Sequence, residues 1–306
     1  MTLKRTMIHG ILPALTTPLD AKGHVDAKAV AKQVDYVIAG GASGLVPVGG
    51  TGEYTALTPK ERVAMVELTV AAARRRVPVI AGVLSPGLGE AIEAGRAFLQ
   101  AGADGLMVIA PFYITPTQKG IRDYFKACAD AVGGPVMLYE IPYRTGVALK
   151  AETIAEIAGD GSIVGMKASN PDMAQLTRVL ALCGETINVA SGEEMLFPTA
   201  IALGAVGGVL ATADILPRSW MQIFDLARNG NLKAALAKHA ALAPFLAAVF
   251  AECNPGPLKA AQGIAGIQVG PVLCPLRPPA AALVKEMEAL LQPLLAAERA
   301  LAKEAA

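Results

Sequence analysis

The chain has 306 residues, 53% of them hydrophobic and 17% charged, with a formal net charge of +1. That length can bury one barrel-sized core or two smaller ones, and the near-neutral charge leaves no footprint for nucleic acid or an anionic membrane surface. The longest apolar run, 201–213, is closed by Asp214 and falls short of the roughly 20 residues a membrane span needs.

Met1-Thr2-Leu3-Lys4-Arg5-Thr6-Met7 has no apolar core and no cleavage signature, so it does not read as a secretory signal. Cys128, Cys183, Cys253 and Cys274 are scattered without a Cys-x-x-Cys pair, and His9, His24 and His239 lie far from them. The expectation is free thiols in a reducing cytoplasm, with neither a disulfide frame nor a metal site.

Short apolar, often β-branched runs recur at 11–17, 44–49, 77–83, 105–110, 135–141, 162–168, 186–190 and 206–211, with helical periodicity between them. Thr58-Pro59, an N-cap followed by proline at the first helical position, opens one helix that the pattern carries to Arg76. Its Arg74-Arg75-Arg76 triplet is expected in the last turn, where cations suit the helix dipole. Alternating strands and helices predict parallel β/α units wound in one sense, and eight of them predict an α/β fold of the (β/α)8 TIM-barrel class. A doubly wound open sheet is the alternative. Residues 1–218 are read as the barrel. Residues 219–306 are read as a C-terminal helical region of about three helices, broken near 254–257 and 271–279 and packed on the barrel.

Barrel enzymes place their chemistry at the carboxyl ends of the strands. At those ends stand Gly49-Gly50-Thr51-Gly52-Glu53, Pro111-Phe112-Tyr113, Tyr139 to Gly146, Lys167, and Ser191-Gly192-Glu193-Glu194. Lys167 ends an apolar run, where burial favours the neutral amine, a nucleophile for carbonyls. Read alone, the same stretch also fits a lysine that buries its stem and carries its charge to solvent.

Taken together, these stretches with Leu12 to Leu19 and Asn254-Pro255-Gly256-Pro257-Leu258-Lys259 resemble the dihydrodipicolinate synthase / N-acetylneuraminate lyase family of Schiff-base aldolases and lyases. The resemblance covers nearly the whole chain. It implies a barrel with a C-terminal helical region, assembled as a homotetramer or homodimer. It also implies that Lys167 forms an imine with pyruvate or another 2-keto acid without any cofactor, and that Tyr139 shuttles protons. Gly50, Thr51 and Gly52 would receive the keto acid's carboxylate, with Gly192 and the Val209 carbonyl beside the imine. Tyr113 would reach a neighbouring subunit's site, and Arg144 would take the second substrate's carboxylate through its planar fork.

Two positions depart from the synthase pattern. Gly50 stands where the synthases carry a relay threonine, and Glu140 where they carry asparagine. The leading expectation is therefore a cytoplasmic lyase most like dihydrodipicolinate synthase. The alternatives are a 2-keto-3-deoxy sugar acid aldolase or dehydratase, and a keto-acid-binding barrel without turnover.

Overall fold

The computed structural model of the chain describes residues 1–304. Seven parallel strands form one sheet: β1 (Gly10–Pro13), β2 (Ile80–Val83), β3 (Gly105–Ile109), β4 (Val136–Glu140), β5 (Gly165–Ala168), β6 (Asn188–Ser191) and β7 (Gly207–Leu210), in the order β1-β7-β6-β5-β4-β3-β2. The ring closes between the two edges through residues 43–47, which contribute bridges and not a full strand. Val46 pairs with Ala14 on the β1 side, and Leu45 with Val79 on the β2 side. Backbone hydrogen bonds from Leu15 N to Val46 O and from Gly82 N to Pro47 O extend the seam.

The expected strand over 44–49 is shortened for a local reason. Pro47 has no N–H to donate, and Val48 turns to φ +50, so extended geometry ends there. The other seven runs form strands, each shorter than its apolar run because the run's remainder lies in the connections.

Helices cover the barrel between strands: α1 (Ala27–Ala39), α2 (Pro59–Ala73), α3 (Leu88–Gln100), α4 (Gln118–Val132), α5 (Pro142–Thr145), α6 (Ala151–Gly159), α7 (Met173–Cys183) and α8 (Phe197–Leu203). Asp26, Thr58, Thr117 and Asp172 accept hydrogen bonds from the first N–H groups of α1, α2, α4 and α7. Each such cap contributes about 1 kcal/mol. The arginine triplet lies beyond the end of α2, not in its last turn. Arg74 and Arg75 adopt φ +51 and +59, which ends the helix at Ala73, and the Arg76 side chain turns back to donate to Ala72 O and Ala73 O and to pair with Asp35.

From Pro217 onward the described residues contain four helices and no strand, where about three helices were expected: α9 (Pro217–Arg228), α10 (Leu232–Val249), α11 (Gly256–Ile264) and α12 (Ala281–Glu304). The first of these packs against β1. The buried Glu298 of α12 accepts from Arg218 N, Ser219 N and Ser219 Oγ at the start of α9. A carboxylate at a partly buried helix N-terminus contributes up to about 2 kcal/mol.

By length and composition α10 is apolar enough to cross a membrane, although Lys233, Lys238 and His239 interrupt its apolar sequence. Its Ala235, His239, Leu242, Phe245, Leu246 and Val249 are buried. His239 Nε2 lies 2.8 Å from Glu194 O, so this helix is tied to the loop that follows β6.

Candidate active site

Strand register sets the site. Tyr139 on β4 pairs with Lys167 on β5, and Lys167 with Ala190 on β6. Side chains alternate along a strand, so Lys167 and Ser169 face the same side as Tyr139. Lys167 is 8% exposed, and its Nζ lies 4.4 Å from the centroid of the Tyr139 ring.

Burial lowers the Lys167 pKa from 10.5 to about 8. Glu194 and Glu193 pull the other way and Arg144 adds to the lowering, but desolvation wins. Tyr139 is buried too, and desolvation pushes its phenol up to about 12 against the opposing influence of Arg144 and of a hydrogen bond with the Ser169 side chain. The free protein thus pairs an amine that is easily neutralised with a phenol that keeps its proton.

Gly192 is required where it stands. A Cβ there would lie 1.9 Å from Ser169 Oγ and 2.8 Å from Lys167 Cε, which also fixes the Ser169 hydroxyl close to the lysine. The residue at 192 must lack a side chain for the amine and the hydroxyl to share that space.

The loop that follows the bridging segment is strained at both ends. Val48 takes φ +50 and Glu53 φ +58, conformations costing of order 1–3 kcal/mol each that persist only where surroundings enforce them. Between them, Gly52 could carry no Cβ, because one would sit 2.8 Å from Val48 N. Gly50 is different: a Cβ there meets nothing nearer than Leu84 Cδ2 at 3.8 Å, an ordinary contact. Thr51 is 7% exposed and its Oγ1 accepts from Asn254 Nδ2 at 3.0 Å.

Arg144 lies on α5, is exposed, and is close enough to influence both Lys167 and Tyr139. Glu193 is half-buried on the opposite loop. Burial raises its pKa, Lys167 opposes that rise, and its Oε1 is buried without a donor. Val209 is buried in β7, paired with Leu12.

Tyr113 is not brought to this cluster. It is 96% exposed with φ +76, on a loop whose Ile114 is also exposed.

Glu140 follows Tyr139 on the strand, so alternation turns it away from the barrel interior. Its Oε1 accepts from Leu149 N, Asn170 Nδ2 and Gln175 Nε2, each at 3.2 Å. The acid at 140 anchors the connections around the site and does not enter the lysine's surroundings. Glu194 is likewise structural: it accepts from Ala211 N, Thr212 N and Thr212 Oγ1 at the Thr212–Asp214 turn.

Three residues stand out here that the sequence reading assigned no role. Ser169 is two positions from the lysine and visible to anyone extending strand alternation past Lys167. Glu193 lay in a run already noted. Asn254 opened a stretch that carried the family resemblance, but its partner Thr51 lies 203 residues away and nothing in the sequence joins the two.

Residues 7–297 match the model of the dihydrodipicolinate synthetase family. The chain belongs to that family. It is 40% identical over 285 residues to the 4-hydroxy-tetrahydrodipicolinate synthase of Acidiphilium cryptum, covering 92% of this chain and 97% of the relative. Among solved structures of the family, the chloride-inhibited dihydrodipicolinate synthase of Acinetobacter baumannii complexed with pyruvate superimposes with a TM-score of 0.90. It is 31% identical, over 94% of this chain and 99% of that one. A synthase variant described as the first monomeric one gives a TM-score of 0.91 at 29% identity, over 94% and 97%.

Proposed function

We propose that this member of the dihydrodipicolinate synthetase family is a lyase that condenses pyruvate with an aldehyde through an imine on Lys167, acting as a 4-hydroxy-tetrahydrodipicolinate synthase on aspartate semialdehyde. The observation that carries this is the buried Lys167 amine, lowered to about 8, set 4.4 Å from the Tyr139 ring on the adjacent strand. A cation in that position also gains attraction from the ring face, of the order of 0.5–2 kcal/mol, which favours the protonated imine once it forms.

In this reading the neutral amine adds to the ketone carbon of pyruvate, and proton transfer from nitrogen to oxygen gives the carbinolamine. Tyr139 then donates its proton to the departing hydroxyl, releasing water and leaving the protonated imine beside a phenolate. That phenolate takes a proton from the methyl carbon, giving the enamine and restoring Tyr139. The enamine carbon attacks the aldehyde, its electron pair forming the new bond as the imine returns, and the aldehyde oxygen takes its proton from Tyr139.

Thr51 and the N–H groups of 50–52 hold the carboxylate of pyruvate, and Arg144 that of the aldehyde. Ser169, on the same side of the sheet as Tyr139 and with its hydroxyl beside Lys167, stands in for the hydroxyl missing at position 50. Tyr113, fully exposed at the loop tip, serves the site of a second subunit in a cytoplasmic homo-oligomer.

The absence of a side chain at Gly50, where a Cβ would make only an ordinary contact with Leu84, favours a second reading within the same mechanism, a 2-keto-3-deoxy sugar acid whose own hydroxyl takes that place. Steady-state kinetics separate the two. A kcat/KM for aspartate semialdehyde of about 10⁴ M⁻¹s⁻¹ or above supports the synthase, with Arg144→Ala raising KM for the aldehyde far more than it slows imine formation, since Arg144 is only the smallest contributor to the lowered lysine. Weak turnover with the aldehyde and proficient cleavage or dehydration of a sugar acid overturns it.

A further inference from the structure

The run from Asn254 to Lys259 ends two side chains on the loop of residues 50–53. Asn254 Nδ2 donates to Thr51 Oγ1 at 3.0 Å. Lys259 forms an ion pair of 2.5 Å with Glu53, and the two residues are 4% and 2% exposed. Lys259 Nζ also donates to Pro271 O at 2.7 Å, while the second Glu53 oxygen accepts from Leu273 N at 2.7 Å. From the barrel side, Thr17 Oγ1 donates to Gly52 O at 2.7 Å. The strained loop is therefore gripped mainly by the C-terminal region.

A threonine hydroxyl has one proton and two lone pairs. Because Asn254 donates into one lone pair, the Thr51 proton is left for a different acceptor. A carboxylate is acceptor-only when ionised, so the proton can point at it. With glycine at 49, 50 and 52, Thr51 carries the one side-chain hydroxyl of this loop segment. Asn254 holds this orientation although its own Oδ1 is buried without a donor, a condition costing about 1–3 kcal/mol that calls for a reason.

We propose that Asn254 is a positioning residue for the 2-keto acid, fixing the Thr51 hydroxyl as a donor toward the substrate carboxylate. The inference rests on the assignment of Thr51 to that carboxylate. Asn254→Asp reverses the polarity: its carboxylate accepts the Thr51 proton and sets a negative charge beside an anionic substrate. Asn254→Ala leaves the hydroxyl free to rotate.

The test is the pyruvate concentration giving half-maximal borohydride-trapped adduct at Lys167, measured with the melting temperature and with kcat at saturating pyruvate. Hydrogen bonds to charged groups support an increase of about tenfold or more for Asn254→Asp. Asn254→Ala should rise less, and kcat should change much less than half-saturation in both. In a Thr51→Val background neither substitution should add a further effect. If Asn254→Asp does not fold, the Ala variant and its Thr51→Val double carry the same comparison. Wild-type half-saturation in a folded Asn254 variant, or an equal effect with and without Thr51, overturns this inference alone. Absence of any wild-type adduct overturns the imine reading and this inference with it.

Discussion

Gly192→Ala is the substitution whose consequence the geometry states most sharply. The new Cβ would lie 2.8 Å from Lys167 Cε, against an ordinary contact of 3.4–4 Å, so the lysine must retreat by about 0.6–1.2 Å, a shift on the scale that overpacking forces on a filled site. It would also lie 1.9 Å from Ser169 Oγ, so Ser169 must change rotamer and give up its place beside Tyr139. A misplacement of about 1 Å at a reacting group costs on the order of 10²-fold. The initial rate of borohydride-trapped pyruvate adduct should therefore fall about 10²-fold, while overpacking lowers stability by only about 1–3 kcal/mol. Gly89→Ala is the control: it lies within α3 and a Cβ there meets nothing within 4 Å, so it should trap at the wild-type rate. A folded Gly192→Ala protein that traps pyruvate at the wild-type rate would refute the placement of Lys167.

The lowered lysine gives a pH profile of defined sign. With a pKa of about 8, roughly a tenth of the molecules hold the amine neutral at pH 7. Imine formation should thus rise with pH and level off above about 8; a rate flat from pH 6 to 9 would contradict it. The same shift predicts that Lys167→Met stabilises the fold, by up to about 3 kcal/mol at pH 7. The folded state binds fewer protons than the unfolded one between about 8 and 10.5, so this gain is full below 8, fades across that window and vanishes above it, as urea unfolding at several pH values would show. Gly50→Thr, whose Cβ would make only an ordinary contact with Leu84, should raise turnover of aspartate semialdehyde and should restore turnover lost in Ser169→Ala. Failure of that rescue would mean that the two hydroxyls do not serve one proton route.

Much of this was legible in the chain because barrel physics repeats itself. Eight apolar runs announced the parallel sheet, and polar residues collecting at their carboxyl ends marked the mouth where Lys167 and Tyr139 meet. What was not legible depends on single backbone conformations or on long-range contacts. The run at 44–49 reads as a strand, but Pro47 and the left-handed Val48 reduce it to bridges. Arg74 to Arg76 continue a helical pattern that two left-handed residues end. Glu140 and Glu194 read as polar residues at a strand end, although each is a buried acceptor bracing loops. The partnership of Asn254 with Thr51 exists only once the C-terminal region has folded back onto the loop of residues 50–53.

The central claim, that Lys167 is the nucleophile, is tested most directly by incubating the protein with pyruvate, reducing with borohydride and mapping the adduct by peptide mass spectrometry. A single reduced pyruvyl group is expected on the peptide containing Lys167, absent from the Lys167→Ala variant. An adduct on another lysine, such as the buried Lys259, or none with any 2-keto acid, would contradict it.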